Sequence, residues 1–175
     1  MKIVFLDIDG VLQPYDANNR FYALDDSLID ELSQKYNVNY HNYSIYDVMA
    51  VYYDWHEQAV ARLKYILEQT GAKIIISSDW RSEKMPHKMP DLLKIHALDK
   101  YWYADNLINH DYIANHKKRS LEIETSLKMY PITSFVVLDD MSGLDEYFPN
   151  NIVKTSNYIS LSDMEQCIKI LNRKK

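Results

Sequence analysis

The chain has 175 residues, 47% of them hydrophobic and 26% charged, which suits one soluble packed domain spanning residues 1–175 and excludes a disordered chain. Its single cysteine, Cys167, excludes an internal disulfide framework, and the net charge of −5 excludes a broadly basic nucleic-acid footprint. No apolar run is long enough to span a bilayer, and Asp7 and Asp9 interrupt the N-terminal apolar stretch that a signal peptide would need, so a cytoplasmic location is expected.

In chain order, residues 3–6 read as a buried strand. Residues 11–24 hold two apolar-aromatic runs around the turn cluster Asp16-Ala17-Asn18-Asn19, which predicts a hairpin flap over the end of that strand. Asp25-Asp26-Ser27 looks like a helix start, with Leu28, Ile29 and Leu32 as the buried stripe. A segment with six tyrosines between Tyr36 and Tyr53 has no clean period and is expected to be irregular or short-helical, its rings packing at the core and rim. Residues 54–69 form a stronger helix, with Gly71 placed as its C-terminal cap, and residues 72–76 a buried parallel strand. A helix over 91–98, a strand over 101–108, a helix over 118–130 stopped by Pro131, a strand over 133–138 and an edge strand over 151–154 follow. The last helix carries Ser162 and Glu165 in capping-box spacing and an apolar stripe of Met164, Cys167, Ile168 and Leu171, before Arg173-Lys174-Lys175. Cys167 is thus a packed thiol. Strands alternating with helices predict an α/β fold, a doubly wound parallel sheet, with residues 13–53 as a flap and small cap-like insertion too short for a full cap domain.

The chemistry gathers where strands end. Asp7 and Asp9 are two positions apart and leave a strand on the same side, where like charges raise each other's pKa unless a cation sits between them. Open α/β sheets bind ligands at the carboxyl ends of their strands, so a metal site is expected there. Val136-Val137-Leu138-Asp139-Asp140 repeats the pattern of a buried strand ending in acids. The strand over 72–76 runs into Ser77-Ser78-Asp79-Trp80-Arg81, whose hydroxyls suit a phosphate oxygen and whose Arg81 suits a second phosphate contact, with Trp80 at the rim. Lys117-Lys118-Arg119 offers positive charge ahead of a helix. The six histidines show no paired metal-ligand spacing.

Phe5-Leu6-Asp7-Ile8-Asp9-Gly10-Val11-Leu12 resembles the first motif of the haloacid dehalogenase-like (HAD) phosphohydrolases. The resemblance implies that Asp7 attacks phosphorus, that Asp9 serves as general acid and base, and that both help hold Mg²⁺. It implies a second-motif hydroxyl at Ser77, with Ser78 its neighbour in contention, and a third-motif lysine at Lys118, with Lys117 as the alternative. It places the fourth motif at Asp139-Asp140, with Asp140 the metal ligand and Asp139 bound directly or through one water. Gln69-Thr70-Gly71 through Ser77-Ser78-Asp79-Trp80-Arg81 is similar to a HAD branch found in modular RNA-repair proteins. Two departures stand out: Ser120 replaces the glycine often found after the third-motif basic residue, and residues 13–53 exceed a minimal loop.

The resemblance implies a Mg²⁺-dependent phosphatase working through an aspartyl-phosphate. An open site suits a phosphoprotein or another large phosphorylated substrate. The alternatives are a small metabolite, a nucleic-acid phosphate end, which the charge does not favour, or a catalytically idle HAD-fold binding module using the tyrosine-rich insertion as its contact surface.

Overall fold

The computed structural model describes residues 1–106 and 115–173, the side chains of Asn115 and His116 excepted. Five strands, β1 (Lys2–Leu6), β2 (Lys73–Ile76), β3 (Trp102–Asp105), β4 (Ser134–Asp139) and β5 (Ile152–Lys154), form one parallel sheet in the order β3-β2-β1-β4-β5. Six helices accompany them among the described residues: α1 (Asp26–Tyr36), α2 (Ile45–Tyr53), α3 (Glu57–Thr70), α4 (Lys88–Lys94), α5 (Asn115–Met129) and α6 (Leu161–Leu171). The doubly wound α/β architecture expected from the alternating pattern is therefore the one observed. Strand order reverses at β1, which pairs with β2 on one side and β4 on the other, and that is the switch point where such sheets bind ligands.

The period-two alternation of the strands divides the core between the two faces. Val4, Leu6, Ile74, Ile76, Val136 and Leu138 join the apolar faces of α1, α3, α4 and α6 in the larger cluster. Ile3, Phe5, Ile75 and Val137 meet Ile123 of α5 with Leu144 and Phe148 in the smaller one. Residues 13–53 feed the larger cluster directly through Ile29, Leu32, Tyr40, Val48, Met49 and Val51. Of the six tyrosines in that region, Tyr40 is fully buried with its hydroxyl donating to Asp91 O at 2.8 Å, Tyr36 and Tyr43 are half-buried, and Tyr46, Tyr52 and Tyr53 are exposed. The tyrosine-rich stretch is thus partly helical, as α2, and packs at core and rim. Cys167 is fully buried, and burial pushes its thiol pKa up, as suits a packed side chain.

Four local expectations change. Residues 11–24 form turns and a short 3-10 helix, Asn19–Phe21, in place of paired strands. Gly10 reverses the chain at φ +70°, the amides of Val11, Leu12 and Gln13 converge on Ile8 O, and the Asp54 carboxylate captures the Asn19 amide at 2.8 Å. The helix expected from residue 54 begins at Glu57, because Asp54 closes α2, its amide donating to Ala50 O. The helix expected over 91–98 is Lys88–Lys94, and Ala97 after it is left-handed at φ +54°. The capping box sits two residues early: Ser160 Oγ accepts from the Asp163 amide at 3.1 Å and Asp163 Oδ2 accepts from the Ser160 amide at 2.8 Å. Gly71 caps α3 at φ +68°, as its position suggested. Leu107 and Ile108 of the expected third strand, His110, and Lys174-Lys175 lie outside the described residues.

The displaced cap is directly measurable. Ser160→Ala is expected to lower unfolding free energy by about 1 kcal/mol, the worth of an N-cap. Ser162→Ala, at an exposed position, is expected to stay within about 0.5 kcal/mol. Urea denaturation of the two variants distinguishes them.

Candidate active site

Register builds the site. Leu6 of β1 lies opposite Ile76 of β2 and Leu138 of β4, so the next residues along, Asp7, Ser77 and Asp139, are placed side by side at the carboxyl edge. Parallel neighbours are about 4.8 Å apart, which leaves no room for two unscreened carboxylates. The cation that answers this is Arg119. Its Nη1 stands 3.1 Å from Asp7 Oδ1 and 3.0 Å from Asp139 Oδ2, and its Nη2 3.5 Å from Asp79 Oδ1. Burial alone would lower the Arg119 pKa, but the charges of Asp7 and Asp139 raise it on balance, so the guanidinium stays protonated.

Arg119, not Lys118 or Lys117, is therefore the basic side chain brought to Asp7. Lys118 is half-buried and lines a cavity of about 40 Å³ with Asp79, Arg119, Glu122 and Met141, while Lys117 is exposed. The reason lies in helical spacing. Ile123 is the buried apolar residue of α5, and Arg119 precedes it by one turn on the same face, whereas Lys117 is rotated away. Ser120, Glu122 and Ser126 are buried with it, so α5 packs a polar face inward. That polar face leaves α5 without a regular apolar stripe.

The other predicted residues fall as follows. Ser77 is fully buried, its amide donating to Leu6 O at 2.7 Å. Asn106, which sequence reading missed, donates from Nδ2 to Ser77 Oγ at 3.0 Å, and Ser126 Oγ donates to Asn106 Oδ1. Asn106 thus occupies an acceptor site of Ser77 and leaves its O–H proton to donate elsewhere. Ser78 is buried, and its carbonyl accepts from Arg81 Nε. Arg81 also donates to Asn106 O at 3.1 Å and pairs with buried Glu122 at 3.0 Å, so this arginine braces the loop after β2. Its guanidinium meets protein partners at Nε, Nη1 and Nη2.

Oxygens of Asp7, Asp139 and Asp140 lie within 4.8 Å of one another. Burial, and then the charge of Asp7, push Asp139 and Asp140 each up to about 6. Asp139 is further engaged by the Met141 amide, donating to its Oδ1 at 2.8 Å, and Asp140 Oδ2 accepts from the Tyr15 hydroxyl. Asp9 is an exposed residue. Its pKa is raised, first by the protein packed around it and next, among the raising causes, by Asp7, against the Trp80 indole that lowers it. Trp80 Nε1 donates to Asp9 Oδ2 at 2.9 Å and Gln13 Nε2 to Asp9 Oδ1 at 2.8 Å. Gly10 is required here, since a Cβ would lie 2.7 Å from Asp140 Oδ2 and 2.6 Å from the Tyr15 hydroxyl oxygen.

The donor set fits a hard divalent cation. Three clustered carboxylates against one guanidinium leave an excess of negative charge, their oxygens suit Mg²⁺, and the raised pKa values reflect burial first and the charge of Asp7 second.

A parallel sheet with its switch point at β1, acids closing β1 and β4, and a buried hydroxyl after β2 define a HAD-type domain. The chain belongs to the family described as the HAD domain in Swiss Army Knife RNA repair proteins, whose model matches residues 3–165. Its fold is similar to the HAD domain of the effector protein Lem4 from Legionella pneumophila, with a TM-score of 0.54 at 15% identity over 98% of this chain and 95% of that one. No curated protein matches the chain. Among the described residues, no helix is long and apolar enough to cross a membrane.

Two measurements test this electrostatic account. Arg119→Ala, which strips the cation from two buried acids, is expected to cost about 3–5 kcal/mol in urea unfolding. Lys117→Ala is expected to stay within about 0.5 kcal/mol. For the acids, a folded-state pKa near 6 against an ordinary 3.8 means that the folded protein binds more protons between those values. The stability they contribute is present below about pH 4 and lost as pH rises through about 6. In chelator, Tm is expected to fall over that window, Asp140→Asn to flatten the fall, and millimolar Mg²⁺ to restore Tm at pH 7.

Proposed function

We propose that this domain is a Mg²⁺-dependent phosphomonoesterase that works through an aspartyl-phosphate on Asp7. The observation that carries the reading is the row Asp7, Ser77 and Asp139 with Arg119 across it, which puts a nucleophile, a hydrogen-bond donor and a cation around one point. Asp7 and Asp140, with the Asp9 carbonyl and with Asp139 directly or through one water, would hold Mg²⁺. Bound there, the metal would neutralise charge on the transferring phosphoryl group.

The chain's own residues then divide the work. An Asp7 oxygen attacks phosphorus as the bond to the leaving oxygen breaks, and Asp9 delivers a proton to that oxygen. Ser77 and Arg119 stabilise the equatorial oxygens. In the second step Asp9 takes a proton from water, whose oxygen attacks phosphorus and releases phosphate and free Asp7. The raised Asp9 pKa suits a residue that must carry a proton in one step and accept one in the next.

Among the described residues no full cap domain covers the site, which favours a large substrate. Membership in a family of RNA-repair HAD domains favours a nucleic-acid phosphate end over the phosphoprotein. With Mg²⁺, purified protein is expected to hydrolyse p-nitrophenyl phosphate, and Asp7→Asn to lower kcat at least about 10³-fold. A panel of phosphorylated oligonucleotide ends, phosphopeptides and sugar phosphates is expected to show the highest kcat/KM on the oligonucleotides. Turnover unaffected by Asp7→Asn overturns the enzyme reading and leaves the binding-module alternative.

A further inference from the structure

We infer that Gln13, Arg20 and Asp54 form a positioning relay that aims the Asp9 carboxylate for proton transfer, an inference that rests on the phosphatase reading above. The relay is a chain of short polar contacts through residues 13–54. Gln13 Nε2 donates to Asp9 Oδ1 at 2.8 Å, and Arg20 Nη1 donates to Gln13 Oε1 at 3.0 Å. Arg20 Nε stands 3.2 Å from Asp54 Oδ2, and the Asn19 amide donates to Asp54 Oδ1 at 2.8 Å. Asp54 lies at the C-terminal end of α2, and its side chain is 0% exposed.

Each link constrains the next. A glutamine amide can present either oxygen or N–H to a neighbour. Arg20 has donors only, so it claims the Gln13 oxygen and forces the amide N–H toward Asp9. Arg20 cannot drift, because a buried carboxylate without its cation would be costly. Gln13 is itself buried at 5% exposure, so its side chain has little freedom to turn away. From the opposite side, Trp80 Nε1 fixes the second Asp9 oxygen at 2.9 Å, and Trp80 packs edge-on against Trp55, the residue that follows Asp54. Both carboxylate oxygens are thereby held in one plane, each with a further lone pair for a proton.

This gives the insertion after β1 a role in the chemistry. Asp9 follows the end of β1 and is open to solvent, where nothing in the sheet itself would fix its rotamer. Placing the general acid within hydrogen-bond reach of the leaving oxygen demands such fixing, since small displacements cost rate steeply.

The test exploits the leaving group. An aryl phosphate with an acidic phenol needs little protonation as it departs, whereas an alkyl phosphate depends on it. The value of kcat/KM spans only binding and formation of the aspartyl-phosphate, so any shared binding loss cancels in the alkyl-to-aryl ratio. With Mg²⁺, Asp9→Asn sets the direction by lowering the ratio of kcat/KM for phenethyl phosphate to that for p-nitrophenyl phosphate. Gln13→Leu and Arg20→Met are expected to lower the same ratio by about tenfold or more, within the range general acid catalysis supplies. Gln13→Leu spares the Arg20–Asp54 pair, so misfolding of Arg20→Met leaves the test standing. A folded Gln13→Leu enzyme with an unchanged ratio overturns the relay alone. Turnover that does not depend on Asp7 overturns the phosphatase reading and the relay with it.

Discussion

The arginine bridge between Asp7 and Asp139 is the interaction on which the rest of the site depends. Parallel pairing of β1 with β4 forces these two acids to be neighbours, and neither can move without breaking the ladder that holds the sheet centre. Their repulsion must be met on the spot. Arg119 meets it from the helix that crosses beneath, while Asp140 adds a third carboxylate to the cluster, a donor set that could hold a divalent metal.

That solution shapes a whole layer of the fold. To bring a guanidinium under the sheet, α5 must bury polar groups, and a buried polar group needs partners. Glu122 meets Arg81, Ser126 meets Asn106, and Asn106 meets Ser77, so Ser77 and the loop after β2 are tied to the same helix as the cation. Such a network adds little net stability compared with an apolar core, yet it holds each member in one geometry. On the opposite face of the sheet, apolar packing with α1, α3, α4 and α6 supplies the larger core.

The segment between β1 and α3 serves both ends. Its apolar residues, Ile29, Leu32, Tyr40, Val48 and Met49, are built into the main core, so the segment is anchored to the sheet. Its polar residues Gln13, Arg20 and Asp54 reach back to Asp9, and Tyr15 reaches Asp140. The insertion thus joins the main core to the Asp9 side of the candidate site.

Sequence alone determined the alternating α/β architecture, the strand-ended acids Asp7, Asp9, Asp139 and Asp140, and the serine after β2. It could do so because buried parallel strands leave continuous apolar runs and their ends leave abrupt changes of polarity. The identity of the site cation was decided by tertiary structure. Lys117, Lys118 and Arg119 are three adjacent cations, and only the rotation of α5 against the sheet, set by Ile123, turns Arg119 inward. A one-turn offset from that single apolar residue was the available signal, faint beside a face that is otherwise polar. Nor does the sequence reveal that Arg81 pairs with Glu122, 41 positions away. Asn106 and the Gln13–Arg20–Asp54 chain left no local trace either, since hydrogen-bond partners distant in sequence are chosen by how the elements dock. Periodicity and polarity are written along the chain, whereas the pairing of buried charges is settled only when helix and sheet come together.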